Sequence, residues 1–148
     1  MKRGLCSGLA VAVFAGLSIW SSGASAAPTP EQLTFFETRI RPVLADNCYS
    51  CHGREKQRSE LRLDHINFIR AGGARGPAVV PGDVAGSRLI TAIKYEDVKL
   101  QMPPTGKLSD EQIADLERWV QMGAVWPEEP EPAATAAEPG FDIEKRKR

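Results

Sequence analysis

The feature that most constrains this chain is the sequence Cys48-Tyr49-Ser50-Cys51-His52, which has the form C-x-x-C-H. Two residues between the cysteines bring both sulfurs to one side of a single turn, where each can form a thioether with one haem vinyl group. The adjacent His52 can then supply an imidazole nitrogen to the iron. The motif therefore predicts one covalently attached haem c, with Cys48 and Cys51 as the attachment sites and His52 as the proximal ligand.

The C-x-x-C part of the motif has two other interpretations. It could be a dithiol redox pair or half of a zinc site. Structural zinc needs about four ligands, and beyond the motif the exported chain offers no other cysteine and only one other histidine, His65. A dithiol site of the thioredoxin type requires a βαβ context, whereas the flanking sequence is helical or rich in Gly and Pro. Haem attachment is the interpretation that suits both the ligand supply and the context.

The first 26 residues have the three parts of a signal peptide. Positive residues at 1–3 precede an apolar segment from Leu5 to Trp20, and Ala24-Ser25-Ala26 provides a small-residue cleavage pattern. An uncleaved anchor is the alternative, but this apolar segment is short compared with the roughly 20 residues that a membrane span requires. We expect cleavage after Ala26, which also removes Cys6, and a periplasmic or otherwise exported protein. Export agrees with haem c, which is attached outside the cytoplasm.

The charge balance excludes some partners. After cleavage the chain keeps 17 Lys plus Arg, because Lys2 and Arg3 are lost, against 19 Asp plus Glu, a net charge of −2. Such a chain has no basic footprint for nucleic acid, and we expect no membrane contact once the signal is removed. Its two remaining cysteines both belong to the motif, so no disulfide framework supports this small domain. A haem would supply the apolar surface that a chain of this size lacks.

Two capping boxes mark the starts of helices. In each, a hydroxyl residue is followed three positions later by glutamine, at Thr29 with Gln32 and at Ser109 with Gln112. Apolar residues follow at helical spacing: Phe36, Ile40, Val43 and Leu44 after the first box, and Ile113, Leu116, Trp119 and Val120 after the second. The pattern predicts one helix that leads into the motif, with a kink or break at Pro42, and one that ends at Gly123.

The sequence between these helices predicts less regular structure. Ser87 is the expected N-cap of a helix that extends to about Tyr95 and buries Leu89, Ile90 and Ile93. The alternating residues 60–64 allow a short extended piece, and the Gly and Pro residues at 72–83 predict turns. Helical patterns dominate the chain, so the predicted fold class is all-α.

The second axial position of a haem iron needs another ligand. Met102 is the preferred candidate, because its thioether is a soft donor that commonly lies opposite histidine in c-type cytochromes. Core filling is the usual role of methionine, but Met102 lies in a loop with Pro103-Pro104 and on no helical stripe. Met122, at the end of the last helix, and His65 are the alternatives. Ligation by His65 would lower the reduction potential.

The chain loses its apolar content after Trp126, which we expect to close the domain. Residues 128–148 consist largely of Pro, Glu, Ala and Thr followed by a charged end, a composition typical of disorder. The predicted organisation is a signal peptide at 1–26, a domain at 27–127 and a disordered tail at 128–148.

The order of several short segments resembles the planctomycete-type cytochrome c domain, a mono-haem module. The matching segments are F-F-E-T-R-I-R-P-V-L at 35–44, C-Y-S-C-H at 48–52, L-R-L-D at 61–64, P-G-D at 81–83, S-R-L-I at 87–90, and M-P-P at 102–104 with the helix that follows. The resemblance implies a small cytochrome c-like fold in which three to four helices pack around one haem. Members of this family are often the N-terminal part of larger exported proteins, and His65 departs from the family pattern.

The resulting expectation is an exported mono-haem c-type cytochrome that transfers single electrons through a His52/Met102-ligated iron. Its partners would be redox proteins that act as electron donor and acceptor, and it would have no catalytic residues of its own and no enzyme activity. Two alternatives remain open. One is a haem-based module that binds or senses a small ligand, and the other is the detached N-terminal cytochrome module of a larger exported redox protein.

Overall fold

The structure is a computed structural model, and it describes residues 27–130. The predicted signal peptide and residues 131–148 of the predicted tail lie outside the described residues. Every regular element within residues 27–130 is helical, and the only β-type pairings there are isolated bridges. The predicted all-α class is therefore confirmed for this part of the chain. None of these helices is long and apolar enough to cross a membrane.

The N-terminal part consists of three consecutive helical segments. Helix α1 is Pro30–Phe35, a π-helical segment follows at Phe36–Ile40, and helix α2 is Arg41–Asn47. The predicted capping box is present, since Thr29 accepts from the backbone of Gln32 and the Gln32 side chain accepts from the backbone of Thr29. The four predicted stripe residues are buried: Phe36, Ile40, Val43 and Leu44.

The predicted disruption at Pro42 is confirmed, and it takes the form of the π-helical segment. A proline ring clashes with the carbonyl four residues earlier in a regular α-helix. Here the wider π turn precedes the proline, with the Arg41 N–H donating to the carbonyl of Phe36, five residues earlier. Pro42 then lies in the first turn of α2, where it has no N–H to satisfy.

A short helix that the sequence did not predict follows the motif. Helix α3 is Tyr49–His52, a 3₁₀ turn forms at Arg58–Glu60, and helix α4 is Ile66–Ala71. Regular structure was expected to be sparse here, and that expectation is wrong for α4. The reason is its cap, because the side chain of His65 accepts from the Asn67 N–H, and histidine is not among the preferred N-cap residues.

Helix α5 is Arg88–Lys94 and helix α6 is Asp110–Gln121. The Ser109 and Gln112 capping box is present as predicted, and Gly123 has the positive φ of +96° that suits the end of a helix. Ser87 precedes α5, but its side chain does not cap the helix. The Ser87 hydroxyl instead donates to the carbonyl of Asp83 at 2.7 Å and accepts from the Val80 N–H at 2.9 Å. This corrects the predicted capping role.

The core lies between the N-terminal segments and the two last helices. The π-helical segment packs against α6, α5 packs against α6, and the predicted inward residues of both helices are buried. Trp126 closes this core as expected, with its ring 4.4 Å from that of Phe36. Beyond it, Glu129 pairs with Arg41 at 2.5 Å, so packing contacts reach into the segment predicted as a tail.

Candidate haem-attachment site

The C-x-x-C-H sequence forms a single tight turn. Cys48 ends α2 and begins α3, and its carbonyl accepts from the N–H groups of Cys51 at 3.1 Å and of His52 at 2.9 Å. The His52 carbonyl in turn accepts from the Leu63 N–H at 2.7 Å. The predicted placement of both cysteines on one turn is therefore present, and the passing chain at Leu63 holds the turn.

Gly53 ends this turn because of a close backbone approach. A Cβ atom added at Gly53 would lie 2.5 Å from the carbonyl oxygen of Tyr49. Real Cβ atoms do not approach backbone oxygens this closely, so a side chain here would displace the turn. The glycine that follows the histidine is thus part of what positions the motif.

The cysteines do not resemble a dithiol redox pair. Both are free and half-buried, and burial raises the pKa of the Cys48 thiol to about 11. Redox-active C-x-x-C cysteines need the opposite shift, because the thiolate is the reactive form. A zinc site also lacks ligands, since residues 27–130 contain no group of three or more His, Cys, Asp or Glu side chains that could hold a metal ion.

The two histidines of the chain differ in what binds their rings. His52 has a buried Nδ1 with no hydrogen-bond partner within the described residues. His65 has partners for both nitrogens, because Nδ1 accepts from the Asn67 N–H at 3.3 Å and Nε2 lies 3.4 Å from the carbonyl of Glu129. Since Nδ1 of His65 accepts, Nε2 carries the proton and donates. Within the described residues, both ring nitrogens of His65 therefore have partners, whereas Nδ1 of His52 has none.

The surroundings of His65 also favour a structural role. The ring is only 4% exposed and makes an edge contact with Phe68, with centroids 5.9 Å apart, and a tilted contact with Trp126 at 6.2 Å. It therefore caps α4 and bonds the segment that follows α6. For His65 to bind iron it would have to give up one of these hydrogen bonds and leave this cluster.

Met102 is not a core residue. Its side chain is 39% exposed and is one of three exposed large apolar side chains within residues 27–130, together with Val80 and Val98. This removes core filling as the explanation for Met102. Met122 is half-buried at the end of α6 and lines a cavity with Ile66 and Trp126, which fits its expected packing role.

The backbone around Met102 is held by the end of α5, a feature that sequence reasoning missed. The Met102 N–H donates to the carbonyl of Ala92 at 3.0 Å. The next residue, Pro103, follows a cis peptide bond, and its carbonyl accepts from the hydroxyl of Tyr95. No local sequence pattern predicts these contacts, because they form only when the chain reverses between the helix and the loop.

Two cavities lie away from the motif. One of about 500 Å³ is bounded by Thr29, Arg70 and Trp126 among others, and one of about 410 Å³ lies between Pro42 and Glu111. Neither is lined by Cys48, Cys51, His52 or Met102. Neither cavity therefore contributes to the candidate site.

The residues present fit a covalently attached haem. Cys48 and Cys51 are free thiols on one turn, His52 has an unpaired buried nitrogen, and Met102 presents a thioether that no core contact claims. These are the attachment and ligand groups that a c-type haem uses. Within the described residues a zinc site lacks enough ligands, and the pKa of the Cys48 thiol is raised where a dithiol redox pair needs it lowered.

Comparison with known proteins also supports a haem-attachment site. Searches of curated proteins and of solved structures found no match to the chain. A scan against family models found a match over residues 48–106, which include the C-x-x-C-H turn and Met102. The family is described as Planctomycete cytochrome C. Residues 48–106 are therefore similar to the planctomycete cytochrome c family.

Proposed function

We propose that this chain is an exported mono-haem c-type cytochrome that passes single electrons between redox proteins. The family match implies a haem-binding, electron-transfer role. The finer statement is that His52 and Met102 are the axial ligands. It is supported by the hydrogen bonds that the candidate side chains make, or do not make, in the described residues. His52 keeps a buried nitrogen without a partner, whereas His65 has both nitrogens engaged. This contrast is the single observation that carries the ligand assignment.

Each site residue has a separate task in this proposal. When bound, the haem supplies the one-electron iron couple. The thiols of Cys48 and Cys51 would attach the haem, and the His52 imidazole and the Met102 thioether would bind its iron. Two protein ligands to the iron would suit electron transfer, and we expect no enzyme activity. Methionine opposite histidine raises the potential.

The axial ligands are tested by absorption spectroscopy of the oxidised and reduced protein. We expect a low-spin haem c spectrum and, in the oxidised state, the near-infrared band of methionine bound to iron. Met102→Ala should abolish this band, and Met122→Ala, the matched control at the other exported-chain methionine, should keep it. The reverse pattern would exclude Met102 as the distal ligand. Rapid carbon monoxide binding by the reduced wild-type protein would favour the sensing function instead.

Location and partners belong to the same proposal. The signal-peptide pattern at residues 1–26 supports export, and the partners are expected to be a protein electron donor and a protein electron acceptor. Cell fractionation with an Ala24→Leu, Ala26→Leu variant, which removes the small-residue cleavage pattern, tests the export step. Wild-type protein should be found outside the cytoplasm at the shorter length. Cytoplasmic wild-type protein of full length would contradict the proposal.

A further inference from the structure

Tyr95 begins the loop that carries Met102. It is the C-cap of α5 and has left-handed backbone angles, with φ 64° and ψ 26°. Its N–H still donates to the carbonyl of Ala92 at 3.4 Å, so the residue remains attached to the helix while the chain reverses. A residue with a side chain is disfavoured in this conformation. The left-handed conformation of Tyr95 is therefore unfavourable unless its side chain makes a compensating contact.

The Tyr95 side chain reaches across the loop to the far side of Met102. Its hydroxyl donates to the carbonyl of Pro103, a buried residue that directly follows Met102. On the near side, the Met102 N–H donates to the carbonyl of Ala92 at 3.0 Å. The backbone is thus bound to the end of α5 immediately before and immediately after the methionine side chain.

The end of α5 is a firm base for these two bonds. Ala92 and Ile93 are buried in the core, and Lys94 forms an ion pair with Glu117 of α6 at 2.8 Å. The Met102 side chain itself remains 39% exposed. Hydrogen bonds therefore fix the backbone of Met102, while its thioether is directed away from the core. A thioether in this position is available to bind a metal.

We propose that Tyr95 is the positioning residue for Met102, and that its hydroxyl sets how readily the thioether leaves the iron. This inference rests on the proposed His52/Met102 ligation. Removing the hydroxyl takes away one of the two donors to the Pro103 carbonyl, since the Gly106 N–H also donates to it at 3.3 Å. It also releases one of the two attachments of the loop to the end of α5. The methionine would then dissociate more often, and an external ligand would replace it more easily.

The test measures imidazole binding to the oxidised haem protein in Tyr95→Phe, which removes only the hydroxyl. The matched control is Thr38→Val, which also removes one hydroxyl that donates to a backbone carbonyl, that of Thr34 at 2.8 Å, but in the N-terminal π-helical segment, outside the motif and the Met102 loop. One lost hydrogen bond corresponds to about two- to tenfold tighter imidazole binding for Tyr95→Phe. Thr38→Val should bind imidazole like the wild type.

The possible results distinguish the role of Tyr95 from the assignment of the iron ligands. If the wild type shows the methionine band and both variants bind imidazole equally, the role of Tyr95 is wrong while the ligand assignment stands. If Tyr95→Phe lowers only the urea midpoint and leaves imidazole affinity unchanged, Tyr95 is merely structural and the inference is overturned. If the wild type lacks the band, the proposed ligation itself is wrong and the inference falls with it.

Discussion

The substitution Trp126→Ala removes the residue that closes the domain. Trp126 is 6% exposed, its ring lies 4.4 Å from that of Phe36, and the guanidinium of Arg41 lies 5.2 Å from its ring centroid. Its Nε1–H is also directed at the carboxylate of Glu129, at 3.4 Å. The substitution therefore removes packing against the N-terminal segments and loosens the segment after α6.

The expected loss follows from the buried area. A buried tryptophan covers about 150–250 Å², which at about 25 cal/mol per Å² corresponds to roughly 4–6 kcal/mol. This is an upper figure, because the unfolded chain already covers part of that surface. Measured Trp→Ala changes in cores are about 3–5 kcal/mol, and we adopt this range for the decrease in the free energy of unfolding. A domain of this size has about 5–15 kcal/mol in total.

The assay is urea unfolding of the haem-loaded protein, followed by far-ultraviolet circular dichroism. Trp126→Phe keeps a ring against Phe36 and should lose about 1–2 kcal/mol, because part of the area and the Nε1–H are gone. Val98→Ala is the matched control, since Val98 is 81% exposed and should change stability by less than about 0.5 kcal/mol. If Trp126→Ala lost less than about 1.5 kcal/mol, the proposed role of this packing would be refuted.

Three further predictions concern groups whose partners are defined. Ser87→Ala should lose about 1–3 kcal/mol in urea unfolding, because the fully buried Ser87 hydroxyl no longer accepts from the Val80 N–H or donates to the Asp83 carbonyl; a loss below about 0.5 kcal/mol would contradict this. His65→Ala should lose about 0.5–2 kcal/mol more than His65→Asn, which retains a capping oxygen for the Asn67 N–H; the methionine band should be unchanged in both, and its loss would show that His65 acts on the iron. Burial raises the pKa of Tyr49 to about 12 from its ordinary 10. The protonated phenol is thus favoured in the folded state, and its contribution to stability is complete below pH 10 and is lost as the pH rises towards 12. An ultraviolet titration in a Tyr95→Phe background should place the Tyr49 transition near pH 12, and a transition near pH 10 would contradict the burial.

Sequence predicted the elements whose signals are local. The capping boxes at Thr29 and Ser109 each lie within four residues, and both helices begin where those boxes predict. The disruption at Pro42 follows from the chemistry of one residue. The turn of the C-x-x-C-H motif is local in the same sense, since its hydrogen bonds join Cys48 to residues three and four positions later.

Apart from the His65 cap of α4, the features that the sequence did not predict depend on contacts that form only after the chain has folded back. Ser87 was assigned to its own helix because nothing local shows that the Val80 turn competes for its hydroxyl. Glu129 pairs with Arg41, 88 residues earlier, so a composition typical of disorder concealed an anchored position. The same holds for Tyr95 at the candidate site, whose bond to Pro103 exists only after the chain has reversed.

The central claim is that one haem is attached through the motif cysteines, and mass spectrometry of the mature protein tests it most directly. The protein should be produced in a host that attaches haem c, and then analysed intact and after proteolysis. We expect a chain that begins at Ala27 and carries the mass of one haem on the peptide that contains Cys48 and Cys51. A Cys48→Ser, Cys51→Ser variant should lack that mass. A wild-type peptide in which both thiols can still be alkylated would contradict the account.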